Sequence, residues 1–370
     1  MIGILTFHDA ANYGAVLQAY ALCTFVSRTV GTDAKIIDYH CEKIVRASSL
    51  KAQLRSSNPL KHIVKCIVMG GKLKETLKGF EKFRNDYFHL SPKSYGPSTR
   101  FEIGDDFDVI IVGSDQVWNA ALTGSDFTYL LDFCSEKVNK LSYAASIGDI
   151  PKDEKTILML KKYLSSFNHI SAREYSMAQW IQGTLGLKCS INIDPVLLIP
   201  SRQWAEMTQN DHFEGKYVLC YNVQDSTLMK DYIEIAKTIA KKNGWKVKYL
   251  STNGHLKNRK GIEIENAATP SRFLSLIQHA EYVVTDSFHG TAFSILFHRN
   301  FYVASNVKRI DRIRDLLSLT SLSDRMIDAN SFGNYCSVKS STWAHVDEVI
   351  DSERSKSAIY FQKYITNKNQ

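Results

Sequence analysis

Short apolar, β-branched runs alternate with stretches of helical period along most of this chain, and that alternation restricts its fold more than any other feature. The run Ile2–Phe7 has the composition of a strand. Residues 15–30 then place Val16, Leu17, Tyr20, Ala21, Thr24 and Phe25 on one face of 3.6-residue period. Strands are expected again at Lys35–Tyr39, Asp108–Val112, Leu141–Ala145, His169–Ala172 and Ile191–Ile193. After Pro195 and Pro200 the pattern restarts, with a helix over 227–242 and strands at Tyr217–Tyr221, Lys246–Leu250, Tyr282–Thr285 and Phe301–Ala304. Two such blocks predict an α/β chain of two Rossmann-like domains facing a cleft, each a parallel sheet covered by helices. A length of 370 residues exceeds what one hydrophobic core usually serves. The expected boundaries are 1–200, with a basic helical insertion at 51–90, then 201–335, then a helical segment over 336–370.

Hydrophobic residues at 44% and charged residues at 23% are ordinary for a soluble globular protein and exclude global disorder. No run of 18 apolar residues suggests a spanning helix, and the first residues lack a basic region and a cleavage site, so a cytoplasmic protein is expected. Seven cysteines without a CxxC pair argue against a disulfide framework or a zinc knuckle and for buried, reduced thiols. Between Lys51 and Asp86 nine Lys/Arg stand against three Asp/Glu, which is most of the net +8. The apolar spacing there predicts two short amphipathic helices, broken at Gly70-Gly71. Their cationic faces suit either plain solvation or peripheral contact with the anionic inner face of a membrane. No recognised binding module accompanies them, so no nucleic-acid partner is expected.

Ligands of open parallel sheets sit at the carboxyl ends of the strands, so the residues after each strand carry the functional expectation. After the first strand comes His8-Asp9-Ala10-Ala11-Asn12-Tyr13-Gly14. Gly14 would let backbone approach a ligand, the helix behind it offers N–H groups to an anion, and Asn12 could equally be a plain helix cap. After Asp108–Val112 comes Gly113-Ser114-Asp115-Gln116-Val117-Trp118-Asn119, a dense polar wall. The acidic Asp105-Asp106-Phe107-Asp108 lies at the opposite end of that strand and reads as a solvated turn. Arg173 stands where strand passes into helix and could hold a carboxylate or phosphate in a bidentate pair. The strongest local signal is Asp286-Ser287-Phe288-His289-Gly290-Thr291-Ala292. His289 would stand at a strand–helix turn, suited to proton transfer near neutral pH, with Gly290 and Thr291 opening the backbone to an anion. No metal-ligand spacing is visible, and neither a metal nor a cofactor is expected.

Together, Asn12–Leu22 (NYGAVLQAYAL), Gly113–Asn119 (GSDQVWN), Ser171–Ser176 (SAREYS), Asn192–Ile199 (NIDPVLLI) and Thr285–Ile295 (TDSFHGTAFSI) resemble the polysaccharide pyruvyl transferase family, in family order. The resemblance implies a glycosyltransferase-B-like architecture, phosphoenolpyruvate as donor, and a saccharide acceptor, free or lipid-linked. It implies that His289 corresponds to the family's essential histidine and Arg173 to an arginine associated with donor binding. Ser287 and Phe288 depart from an arginine and a leucine that some members carry before the histidine. Forming a ketal from phosphoenolpyruvate needs counter-charges for a dense anion. Arg173, His289, N–H groups at Gly14 and Gly290, and Lys308, Arg309 and Arg312 are the candidates. It also needs an acid/base pair, for which His289 and Asp115 are the expected catalytic groups, with Ser287 and Thr291 lining the donor site. Two rival readings use the same architecture. A nucleotide-sugar glycosyltransferase would recruit Asp286, Glu263 or Glu265 for ribose hydroxyls, and a non-catalytic sugar-binding protein would need no acid/base pair.

Overall fold

Every residue of β1 (Ile2–Leu5) is buried, as a strand covered on both faces must be. In a computed structural model of the chain it lies at the centre of a parallel sheet. The order is β3-β2-β1-β4-β5, with β2 (Ala34–Tyr39), β3 (Leu90–Tyr95), β4 (Val109–Val112) and β5 (Asn139–Ser142). Helix α1 (Tyr13–Val30) joins β1 to β2. It opens on Asn12, whose side chain accepts from the Ala15 N–H, and closes on Gly31 at φ 66°. Between β2 and β3 the chain runs through α2 (Pro59–Tyr87). Parallel bridges Leu141–His169 and Ala145–Ala172 carry the sheet on to β6 (Ile170–Ala172) and β7 (Cys189–Ile191), with α3 (Tyr175–Trp180) between those two strands.

The second sheet has the order β10-β9-β8-β11-β12-β13 and is also parallel. Its strands are β8 (Tyr217–Tyr221), β9 (Lys246–Leu250), β10 (Ile262–Glu265), β11 (Tyr282–Thr285), β12 (Asn300–Ala304) and β13 (Met326–Ile327). Helix α4 (Met229–Asn243) connects β8 to β9 and α5 (Phe288–Leu296) connects β11 to β12. The last helix is α6 (Ser340–Phe361). The structure describes residues 1–54, 59–208, 213–223, 229–251, 261–266, 268–304, 310–327 and 336–366, without the side chains of 59–65, 67, 68 and 229.

The chain divides into two units, one of residues 1–49, 84–199 and 351–370, the other of 50–83 and 200–350. Residues 50–83, assigned to the first domain by the sequence, thus belong with the second unit, where Gly79 abuts Thr269. The C-terminal residues return to the first unit. There Tyr143 donates to Ser357 Oγ at 2.8 Å, and Tyr360 donates to the Ser142 carbonyl at 2.7 Å.

Three local expectations are corrected. The composition of residues 91–98, with serine, proline and glycine, reads as loop, yet β3 covers Leu90–Tyr95; Pro92 is compatible because among the described residues β3 is an edge strand. No break occurs at Gly70-Gly71, and α2 runs through both. An interior glycine costs a helix only about 1 kcal/mol, and here Met69, Leu73, Phe80 and Phe83 are buried along the same helix. Four of the seven free cysteines are buried, whereas Cys134 is partly exposed and Cys66 and Cys336 are exposed rather than buried. Lys72 and Lys74 on α2 are exposed, while the side chains of Lys61 and Lys65 lie outside the described residues. No helix among the described residues is long and apolar enough to cross a membrane.

Candidate active site

In both sheets the strand order reverses direction once, between β1 and β4 in the first and between β8 and β11 in the second. Connections leave to opposite sides at such a point and open a crevice at the carboxyl ends of the two strands. The sequence-predicted residues fall at these two places.

In the first unit, β4 runs into Gly113-Ser114-Asp115. Ser114 is fully buried and stitched across the switch point. Its N–H donates to Gln18 Oε1 at 3.2 Å, its carbonyl accepts from Thr6 Oγ1 at 3.1 Å, and Gln18 Nε2 donates to Thr6 Oγ1 at 2.8 Å. Asp115 follows at φ 72°, a conformation aspartate tolerates better than most residues, and its Oδ1 accepts from the Gln116 N–H at 2.8 Å. Arg173, at the end of β6, is buried among three carboxylates. NH1 donates to Asp194 Oδ2 at 2.7 Å, Nε to Glu174 Oε1 at 3.3 Å, and NH2 stands 4.0 Å from Asp115 Oδ1. Burial opposes the guanidinium's charge, but Glu174, Asp194 and Asp115 outweigh it and hold its pKa above the ordinary arginine value. Asp194 is fully buried, and its other oxygen caps the turn at Pro195 by accepting from the Val196 N–H at 3.1 Å. Arg173 is therefore the centre of a charge cluster and not an uncommitted cation. The sequence pointed to Arg173 and Asp115. It gave no role to Asp194, although that residue stands inside a segment that carries the family resemblance, and the Arg173–Glu174 pair, which reads from sequence as a surface arrangement, is buried.

Asn12 is exposed at the start of α1 and acts as its cap, while Gly14 is buried in the first turn. Beside them lies a cluster that the sequence did not single out. His8 and the pair Asp38 and His40 follow or end β1 and β2. His8 Nε2 is 2.9 Å and His40 Nε2 is 3.3 Å from Asp38 Oδ1, and His40 Nδ1 is 2.9 Å from Asp9 Oδ2. Hydrogen bonds to Asp38 and Asp9 push the His40 pKa up to about 10. Burial works against the charge of Asp38, but its hydrogen bonds to His40 and His8 prevail and hold the carboxyl well below the usual range. Only the placement of His8 and His40 after two neighbouring strands could have signalled this, because 32 residues separate them in sequence.

In the second unit, β11 ends at Thr285, whose Oγ1 donates to the Tyr221 carbonyl at 2.6 Å and accepts from the Ser287 N–H at 3.0 Å. Asp286 is fully buried. It accepts from Asn222 Nδ2 and, at 2.6 Å, from the Val223 N–H, so it ties the end of β11 to the end of β8. Ser287 caps α5 through its Oγ, which accepts from the Gly290 N–H at 3.2 Å, and Thr291 Oγ1 donates back to the Ser287 carbonyl at 3.0 Å. His289 thus rides on the first turn of α5, partly buried, with the Phe288 ring edge-on at 5.3 Å. A methyl group on Gly290 would come within 2.7 Å of Thr285 Oγ1 and 3.2 Å of Tyr221 Cδ1, so the helix meets the strand ends too closely for any side chain there. Two expectations change in detail. The Gly290 N–H is spent on the cap rather than offered to an anion, and Ser287 has a structural task where an arginine was the alternative. Lys308 and Arg309 lie outside the described residues, and Arg312 is in the first turn of the helix Asp311–Leu319.

The family model for polysaccharide pyruvyl transferase matches residues 12–306. This chain belongs to that family. The match spans both switch points, from the α1 cap to the end of β12. A search of curated proteins finds no match. Among solved structures, the UDP-GlcNAc 2-epimerase of Methanocaldococcus jannaschii is similar at 11% identity and a TM-score of 0.50, with 96% of this chain and 93% of that one covered. The UDP-GlcNAc 2-epimerase of Neisseria meningitidis is similar at 11% identity and a TM-score of 0.51, covering 98% and 93%. At such identity the likeness is one of fold, and it fits the glycosyltransferase-B-like class of this pyruvyl transferase family member.

Proposed function

We propose that this pyruvyl transferase moves the pyruvyl group of phosphoenolpyruvate onto a hydroxyl pair of a saccharide, as a ketal, in making a surface polysaccharide precursor. The observation that carries the reading is His289, held on the first turn of α5 at the switch point by Thr285, Asp286 and Ser287. In the reaction one hydroxyl oxygen bonds to C2 of the donor and C3 gains a proton to become a methyl group. The second hydroxyl oxygen then bonds to C2 as the C2–O bond to phosphate breaks. Of the two hydroxyl protons, one balances the new methyl and the other leaves with phosphate. His289 is the proton-transfer group for this exchange. Asp115 takes an acceptor hydroxyl, and Arg173, held in place by Asp194 and Glu174, is the donor-side cation.

A nucleotide-sugar donor fits less well. Each carboxylate that could hold ribose hydroxyls is occupied: Asp286 by Asn222 and Val223, Glu263 by Lys246 and Lys248, and Glu265 by Arg272. Donor-dependent thermal stabilisation tests the reading without an acceptor. A ligand at 100 times its Kd stabilises by about 2.7 kcal/mol. Phosphoenolpyruvate should raise the melting temperature and UDP- and GDP-sugars should not; the reverse pattern would make the chain a glycosyltransferase.

A further inference from the structure

The cluster at the carboxyl ends of β1 and β2 has no part in the pyruvyl transfer just described. Its two imidazoles are held in the same way. His8 Nδ1 lies 3.5 Å from the Thr6 carbonyl, and His40 Nδ1 lies 2.9 Å from Asp9 Oδ2. With an acceptor behind each ring, Nδ1 keeps its proton, and the Nε2 side, which faces Asp38 in the metal-free cluster, is the one that gives up a proton to an incoming ion. Both Nε2 atoms converge on one oxygen, Asp38 Oδ1, at 2.9 and 3.3 Å. The three ligand atoms lie within 4.8 Å of one another, and among the described residues no other group of three His, Cys, Asp or Glu side chains does so.

We propose that His8, Asp38 and His40 form a binding site for a divalent transition-metal ion of the zinc class. Tetrahedral zinc with bonds of about 2.0–2.1 Å separates neighbouring ligands by about 3.3–3.4 Å. The two nitrogen–oxygen separations, 2.9 and 3.3 Å, already approach that spacing. Two imidazole nitrogens and one carboxylate oxygen suit zinc, cobalt or nickel; magnesium and calcium prefer oxygen alone. Asp9 behind His40 and the Thr6 carbonyl behind His8 supply the outer contacts that fix ring orientation at protein metal sites. His8 is 1% exposed and His40 45%, so one wall is built into the core and the ion enters past His40. Three protein ligands leave a fourth position for water or a ligand oxygen. The site is independent of the donor assignment above.

The test uses the whole chain, stripped with a chelator and titrated with Zn²⁺ in a calorimeter and with Co²⁺ in a visible spectrophotometer. One ion per chain should bind, with the intense absorption of tetrahedral cobalt. His40→Gln, at a half-exposed position, should remove that binding while circular dichroism stays unchanged. Asp9→Asn keeps all three ligands and should weaken Zn²⁺ about 10- to 100-fold. No Zn²⁺ binding by the wild type overturns the proposal and leaves an ion-pair cluster whose occupant is a proton. Wild-type affinity in His40→Gln overturns it too, since the ion then sits elsewhere, for instance on an exposed thiol. Should His40→Gln not fold, unchanged affinity in Asp9→Asn overturns it.

Discussion

Replacing Arg173 by methionine should destabilise the first unit far more than neutralising any one of its partners. The side chain is 3% exposed, and it faces Asp194, Glu174 and Asp115. Methionine fills a similar volume but removes the guanidinium from those carboxylates. Removing one partner of a buried pair costs about 3–5 kcal/mol, and here Asp194 and Glu174 both lose the guanidinium. Asp194→Asn is the contrasting change. It keeps an acceptor for NH1, and Glu174 still offsets the guanidinium, so its cost is that of a weakened charged hydrogen bond, about 1.5–3 kcal/mol. Urea unfolding followed by tryptophan fluorescence, with Trp118 and Trp180 in this unit, reads the difference. With a slope of about 1–3 kcal/mol per molar, the arginine variant should lose between about 1 and 5 M in midpoint, and the asparagine variant less at the same slope. The reasoning is refuted if Arg173→Met costs less than Asp194→Asn, for then the carboxylates do not depend on the guanidinium.

Three further outcomes follow from the same geometry. His289→Gln should lower turnover about 10²- to 10⁴-fold, the range for a positioned acid or base, while its unfolding midpoint stays at the wild-type value; near-normal phosphate release would remove His289 from the chemistry. Gly290→Ala puts a methyl 2.7 Å from Thr285 Oγ1 and should cost about 1–3 kcal/mol by overpacking, together with activity, since His289 is the preceding residue; a variant as stable as wild type would show that the turn relaxes freely. Asp115→Asn should reduce kcat with little change in the donor KM, and an effect confined to the donor KM would move Asp115 to the donor side.

Most of the sheet architecture was legible because a buried parallel strand reads as a continuous apolar run, as in Tyr217–Tyr221 and Tyr282–Thr285. The elements missed were edges. β3 contains Pro92 and β10 alternates isoleucine with glutamate, and among the described residues both lie at the edge of a sheet, where a strand need not be a continuous apolar run. His289 and Arg173 could be picked out because both follow a recognisable strand. Their supports could not, since Asp194 reaches Arg173 across 21 residues and Asn222 reaches Asp286 across 64. The unit boundaries were hidden for the same reason. Helical periodicity in 50–83 and 351–366 shows which face is apolar but not which sheet that face covers.

The central claim is tested most directly by incubating the purified chain in deuterated water with phosphoenolpyruvate and a panel of hexosides offering neighbouring hydroxyl pairs. Released phosphate is measured alongside the mass of the saccharide product. The account predicts equal amounts of phosphate and of a pyruvyl ketal whose methyl group carries one deuteron, both lost in His289→Ala. Transfer of a glycosyl group from a nucleotide sugar by the same protein, with phosphoenolpyruvate left intact, would contradict it.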